Sequence, residues 1–124
     1  MTEGGLVLYV AGPMTGLPDF NRKAFHAAAR RLRAVGFEVL NPAENEPPVP
    51  DPEWVDWMRV GLAQVLRADG LALLPGWWDS KGAKIERQLA RDLGIPALTV
   101  PGWLTQQGQV AYMCRLLNNE TKEA

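Results

Sequence analysis

Cysteine and histidine are almost missing from this 124-residue chain: each occurs once, as Cys114 and His26. A single cysteine excludes an internal disulfide framework and fits a reducing compartment, and one cysteine with one histidine cannot build a metal site of the thiolate and imidazole kind. An excess of charge of either sign is missing too. Thirteen Lys and Arg stand against fourteen Asp and Glu, for a formal charge of −1, which argues against a general binder of nucleic-acid polymers. Arg22, Lys23, Arg30, Arg31 and Arg33 gather on one stretch, and that cluster reads as a solvated helix face. No apolar run approaches membrane-spanning length, and Met1 to Gly5 carry neither the basic nor the apolar region of a secretory signal. Internal repeats and low-complexity segments are lacking. The expectation is a cytoplasmic protein with no membrane partner, no metal and no organic cofactor. Cys114 lies among Met113, Leu116 and Leu117, a setting for packing rather than reactivity.

What is present is an alternation of short apolar runs and amphipathic stretches, the pattern of βαβ units around a parallel sheet. Leu6 to Ala11 has no polar alternation, as expected of a central strand covered on both faces. Phe20 to Val35 places Phe25, Ala28, Leu32 and Val35 at helical spacing, with Asp19 as N-cap and Gly36 as the C-terminal stop. Phe37 to Leu40 is a second strand. Asn41 to Pro52 holds five of the ten prolines and reads as an extended loop. A helix begins at Asp51-Pro52, with a core stripe of Val55, Met58, Leu62 and Val65, and leads through Ala68-Asp69-Gly70 to a third strand, Leu71 to Leu74. A helix ending at Gly94, a fourth strand over Ile95 to Val100, a turn at Pro101-Gly102 and a closing helix over Gln107 to Leu117 complete the chain. The length suits one domain, residues 1–124. The predicted fold is α/β, a doubly wound, flavodoxin-like or Rossmann-like parallel sheet of four to five strands with helices on both faces.

In such a sheet ligands bind beyond the carboxyl ends of the strands, where the strand order reverses. The loops after strands one and three therefore carry the information. The first is Gly12-Pro13-Met14-Thr15-Gly16, whose glycines allow a ligand to approach the backbone. The second is Pro75-Gly76-Trp77-Trp78-Asp79-Ser80-Lys81-Gly82, which runs into a helix N-terminus suited to a phosphate or carboxylate, with Ser80 adding a hydroxyl. Neither loop is a Walker sequence or a G-x-G-x-x-G fingerprint, and glycine turns after strands also arise for steric reasons.

The residue that stands out is Glu86. At about 100° per residue, Ala83, Ile85, Leu89, Ala90 and Leu93 share one half of the helix with Glu86 near its middle, and Lys84, Arg87, Gln88, Arg91 and Asp92 fall opposite. A carboxylate aimed at an apolar face must be paired, hydrogen-bonded or opened onto a cleft, so it marks a candidate site. The alternative is a glutamate at the rim of the buried face or one supporting the first helical turn. Trp77 and Trp78 either stack on a ligand or simply cover the core. The loop that starts at Asn41 follows strand two on the ligand side and includes Glu44 and Glu46; it is either a binding element or a surface connection. His26 shares a face with Arg22, Arg30 and Arg33, which points it to solvent rather than to catalysis.

Tyr9-Val10-Ala11-Gly12-Pro13-Met14, Ala68-Asp69 and Ser80-Lys81-Gly82-Ala83-Lys84-Ile85-Glu86 together resemble the nucleoside 2-deoxyribosyltransferase superfamily. Within it, the chain looks like the small phage and bacterial proteins grouped as DUF4406, whose leucine-proline-glycine-tryptophan loop is echoed in Leu74 to Trp77. The resemblance runs from about Leu6 to Val100. It implies a doubly wound fold, a homodimer or higher homo-oligomer, and cleavage or exchange of the N-glycosidic bond of a nucleoside or nucleoside 5′-monophosphate without a cofactor. It further implies Glu86 as nucleophile, Tyr9 as the tyrosine beside that carboxylate, and Ser80 as a hydroxyl at the phosphate or sugar end. Gly12, Pro13, Met14, Gly82, Trp77 and Asn41 are the remaining candidate substrate contacts.

One position departs from the family pattern. Relatives with activity carry an aspartate eight residues before the alanine-aspartate pair, assisting the leaving base, and that position here is Gly61. Asp79 is the candidate replacement. Asp56 points in another direction, and Asp69 is expected to cap a strand. A catalytically weak or inactive nucleotide-binding module is therefore the alternative to an enzyme. A third reading is an interaction domain presenting Trp54, Trp57, Trp77 and Trp78 to a partner.

Overall fold

A computed structural model describes residues 5–105; the closing helix predicted over Gln107 to Leu117, and Cys114 within it, lie outside them. Four parallel strands form the sheet: β1 (Val7–Ala11), β2 (Glu38–Leu40), β3 (Gly70–Leu73) and β4 (Ala97–Thr99), in the order β2-β1-β3-β4. Tyr9 on β1 stands opposite Leu40 on one side and Leu71 on the other. The helices are α1 (Arg22–Ala34), α2 (Trp54–Arg67), α3 (Lys81–Asp92) and α4 (Val100–Leu104). The strand order reverses between β1 and β3, as the doubly wound reading requires.

The even apolarity of β1 follows from cover on both sides, because alternate side chains serve opposite faces. Leu8 and Val10 meet Phe25, Ala28, Ala29 and Leu32 of α1 and Trp103 of α4, while Tyr9 and Ala11 join Val65, Ala68, Leu71, Leu73 and Ala90 beneath α2 and α3. Trp103 is fully buried, and its indole Nε1–H donates to the Leu71 carbonyl at 2.6 Å, so this large side chain leaves no donor unmet. α2 and α3 lie side by side in the same direction: Trp54 and Met58 sit near Gly82, and one turn further along each helix Gly61 sits near Glu86.

Several boundaries differ from the sequence reading. α1 starts at Arg22 rather than Phe20, since Asp19, Phe20 and Asn21 take left-handed backbone angles (φ 50°, 53° and 59°). Asp19 consequently caps nothing and pairs with Arg22 at 2.9 Å. On α2 the buried stripe runs through Gly61, Val65 and Ala68. Val55 lies about 110° from its centre and is 46% exposed. Glycine at 61 hid that stripe, having no apolar side chain to count. β4 ends at Thr99, because the Thr99 hydroxyl accepts from the Gly102 amide at 3.1 Å and opens α4. Pro101 occupies its first turn, where a missing N–H is no loss.

The proline-rich loop is largely irregular, as expected, apart from a 3-10 turn over Pro42–Glu44. It is pinned to α2 by a reciprocal amide pair: Asn45 Nδ2 donates to Gln64 Oε1 and Gln64 Nε2 to Asn45 Oδ1, both at 2.9 Å. Asn45→Ala removes both bonds, and denaturant unfolding should show a loss of about 1 kcal/mol, because a half-exposed neutral pair contributes little more.

Candidate active site

The loops after β1 and β3 meet at the reversal point. Leu74 N–H donates to the Ala11 carbonyl at 2.9 Å, and a side-chain carbon built on Gly12 would fall 2.7 Å from Leu74 Cβ. The Pro13 ring in turn crowds Gly76, which sits at φ 86°. Both glycines are thus required by the contact of the two loops with each other, and that contact builds the floor of the crevice.

Glu86 projects from the centre of the buried face of α3, flanked by Ala83 and Ala90, and is 7% exposed. Ile85, assigned to that face from the sequence, is exposed instead, because it lies about 130° from the centre defined by residues 83, 86 and 90. Leu93, past the last turn of α3, is exposed as well. Tyr9 rises from the middle of β1 and donates its phenol hydrogen to Glu86 Oε2 at 2.5 Å, the length of a charge-assisted bond. Tyr9 is the single hydrogen-bond partner of Glu86 among the described residues. No buried side-chain oxygen among them lacks a partner, so the second carboxylate oxygen accounts for part of the little exposure that Glu86 keeps. Gly61 completes the arrangement. A Cβ at this position of α2 would stand 2.8 Å from both Glu86 Oε2 and Tyr9 Oη, so the pair occupies the volume that any side chain would need.

Burial raises the Glu86 carboxyl to about 7, against the downward pull of the Tyr9 hydrogen bond. Burial, the charge of Glu86 and the hydrogen bond to it push the Tyr9 phenol well above its ordinary value, so Tyr9 keeps its proton and serves as a fixed donor. Among the described residues no ion pair is made to the Glu86 carboxyl. Tyr9→Phe removes the one interaction that favours the ionised form. Followed by the carboxyl carbon resonance, the midpoint of Glu86 should move above 7.

The other candidates land at differing distances from this pair. Ser80 caps α3, its Oγ accepting from the Ala83 amide at 3.2 Å; the amides of Lys81 and Gly82 remain in the first turn, where a helix leaves its N–H groups without intrahelical partners. Gly82 packs against Met58, whose Sδ would lie 3.0 Å from a Cβ there, so helix contact is a sufficient reason for this glycine. Trp77 packs against the cluster that contains Tyr9, and Trp78, edge-on to it, is exposed. Met14 packs against the opposite cluster beneath α1, and the Pro13 carbonyl accepts from Asn21 at 3.0 Å. Asp79 is exposed on the turn before α3 and makes no hydrogen bond to Glu86. The carboxylate of Asp56 accepts from the Glu53 amide at the start of α2, and that of Asp69 accepts from Val7 N at 2.8 Å, so both are engaged in holding backbone.

Asn41, a candidate substrate contact, is instead engaged within the protein. It is 2% exposed at the end of β2, its Oδ1 accepting from Ala43 N at 3.0 Å and its Nδ2 lying 3.2 Å from His26 Nδ1. His26 is accordingly half-buried against Asn41 rather than turned to solvent with its arginine neighbours. Arg33 stays on the exposed face but is tied down there: it holds Glu44 through two bonds of 2.9 and 2.8 Å and donates to the Val39 carbonyl. That bond keeps the Glu44 carboxyl below its ordinary value and removes Glu44 from the candidate ligands. Short polar side chains at a strand end give no periodic signal, and only the packed loop shows what they hold.

Among the described residues no group of three His, Cys, Asp or Glu could hold a metal ion, and no helix is long and apolar enough to cross a membrane. No curated protein matches the chain. A family model matches residues 6–99, a stretch that includes every strand, both loops of the crevice and the Tyr9–Glu86 pair. The chain belongs to the family described as a domain of unknown function, DUF4406.

Proposed function

We propose that the protein cleaves or exchanges the N-glycosidic bond of a nucleoside or nucleoside 5′-monophosphate, with Glu86 as the nucleophile. The observation that carries this reading is a lone carboxylate, buried in an apolar helix face, held at one oxygen by a phenol from the strand next to the sheet reversal and, among the described residues, unbonded at the other. Such an oxygen is placed to attack C1′ of a sugar, forming an ester as the bond to the base breaks. Water or a second base then takes the sugar from Glu86, with overall retention. Tyr9 holds Oε2 throughout, so the opposite oxygen keeps its aim. The first turn of α3, entered from Ser80, suits the phosphate of a monophosphate. The resemblance to the nucleoside 2-deoxyribosyltransferase superfamily supports the same assignment, and with it a homo-oligomer.

The test is a panel of nucleosides and their monophosphates, with neutral and with charged bases, assayed for released base. Release that Glu86→Ala abolishes is the expected result, and no Glu86-dependent release from any member of the panel sinks the proposal. The second reading, a nucleotide-binding module without turnover, is favoured by one observation: among the described residues no second carboxyl is hydrogen-bonded to the Tyr9–Glu86 pair. Saturable binding of a nucleotide that is never consumed, and that is unchanged in Glu86→Gln, would establish it.

A further inference from the structure

Any side chain at Gly61 would fall 2.8 Å from both oxygens of the Tyr9–Glu86 bond, so α2 sets no side chain, and no acid, at this position beside the pair. The carboxylates that the sequence offered as substitutes are bound elsewhere or exposed. Asp56 and Asp69 bind backbone amides, Glu44 is held by Arg33, and Asp79 lies exposed on its turn. Tyr9 gives its hydrogen to Glu86 itself. Among the described residues Glu86 therefore stands as a nucleophile with no acid hydrogen-bonded to it besides the Tyr9 phenol, which it already holds.

That combination restricts the substrate. Displacing a neutral base places the electron pair of the C1′–N bond on a nitrogen that becomes anionic unless a proton reaches it, and general acids supply about a hundredfold or more of rate at that step. A base that already bears a positive charge through its glycosidic nitrogen has no such need. When the Glu86 oxygen bonds to C1′ and the C1′–N bond breaks, the electron pair cancels the positive charge and the base departs neutral. The carboxylate charge is consumed in the same step by ester formation, so both charges vanish together and no proton moves. Water then adds to the ester, giving the free sugar and the Glu86 carboxyl. The ground state is matched as well: a cationic base suits a carboxylate that forms no ion pair among the described residues.

Resting on the N-glycosidase reading above, we infer that the substrate class is N-glycosides of cationic bases, of the pyridinium or N7-alkylpurine type. The experiment compares 7-methylguanosine 5′-monophosphate with guanosine 5′-monophosphate, alongside nicotinamide mononucleotide, subtracting release measured with Glu86→Gln. The Glu86-dependent kcat/KM for the cationic substrates should exceed that for the neutral parent at least a hundredfold. Its pH profile, followed with nicotinamide mononucleotide because a pyridinium has no ring proton to lose, should rise through one ionisation to a plateau, since no acid has to stay protonated. A smaller ratio, or a bell-shaped profile with an alkaline fall, overturns the cationic class while leaving the N-glycosidase reading in place. Absence of Glu86-dependent release from all three overturns both.

Discussion

Glu86→Gln is expected to lower base release by at least about a thousandfold and, above pH 7, to make the protein more stable. The two effects have one source. Burial raises the Glu86 carboxyl from 4.5 to about 7 in the folded protein. Between those two values the unfolded chain ionises its glutamate while the folded chain still holds the proton. A folded state that binds more protons loses stability as pH rises, so the wild type weakens across this window and stays weakened above it. A displacement of that size corresponds to roughly 3 kcal/mol. Glutamine has no proton to lose, and its carbonyl oxygen still accepts from Tyr9. Urea unfolding should therefore find the two proteins about equally stable near pH 4.5 and separated by roughly 3 kcal/mol at pH 8. Equal stability at both pH values would show that the carboxyl is solvated in the folded state. A group that destabilises the fold it sits in marks a position kept for activity rather than for stability.

Gly61→Ala should act on the same pair from the opposite side. The added methyl falls 2.8 Å from Tyr9 Oη and Glu86 Oε2, well inside contact distance. The Tyr9 ring is locked in the sheet cluster, so the carboxylate is the group that gives way, and the bond between them lengthens or breaks. Misplacing a nucleophile by a fraction of an ångström up to an ångström costs about a hundredfold in rate. Stability should change much less: alanine gains about 1 kcal/mol over glycine within a helix, which offsets much of the 1–3 kcal/mol typical of overpacking. The expected signature is a large fall in kcat with a change in unfolding free energy below about 2 kcal/mol. Full activity in this variant would mean that the Tyr9–Glu86 bond has no part in the reaction.

The layers of the fold were legible because burial writes itself into the sequence. β1 is a continuous apolar run since both of its faces are covered, and α3 shows its inward glutamate against a background of alanines at helical spacing. Glycines were less legible. Gly61 reads in the sequence as a missing acid, and only the packed helices show that it makes room for two oxygens supplied from 52 residues before it and 25 after it, at Tyr9 and Glu86. The same blindness displaced the stripe of α2 onto Val55. Left-handed angles at Asp19, Phe20 and Asn21 carry no glycine to announce them, and so the start of α1 was read too early. Ser80 illustrates a further limit: a hydroxyl before a helix fits a ligand contact and a cap equally well, and its bond to Ala83 identifies the cap.

The pairing of Tyr9 with Glu86 spans 77 residues and has no local signature at all. It becomes predictable once β1 is central and α3 lies over it, which is a statement about topology rather than about either residue. The pairs Asn41–His26 and Arg33–Glu44 belong to the same class, polar contacts made by loops and visible only after the strands are in order.

The most direct measurement is the mass of Glu86 during turnover. A 2′-fluorinated nucleotide, whose fluorine slows breakdown of a glycosyl ester, should leave a fluoropentosyl adduct (with its phosphate, where a monophosphate is used) on the peptide carrying Glu86 after acid quench. The adduct should be absent from Glu86→Gln and lost on adding an acceptor base. Base release with an unmodified Glu86 peptide, or with the sugar product inverted at C1′, would contradict a covalent role for this carboxylate.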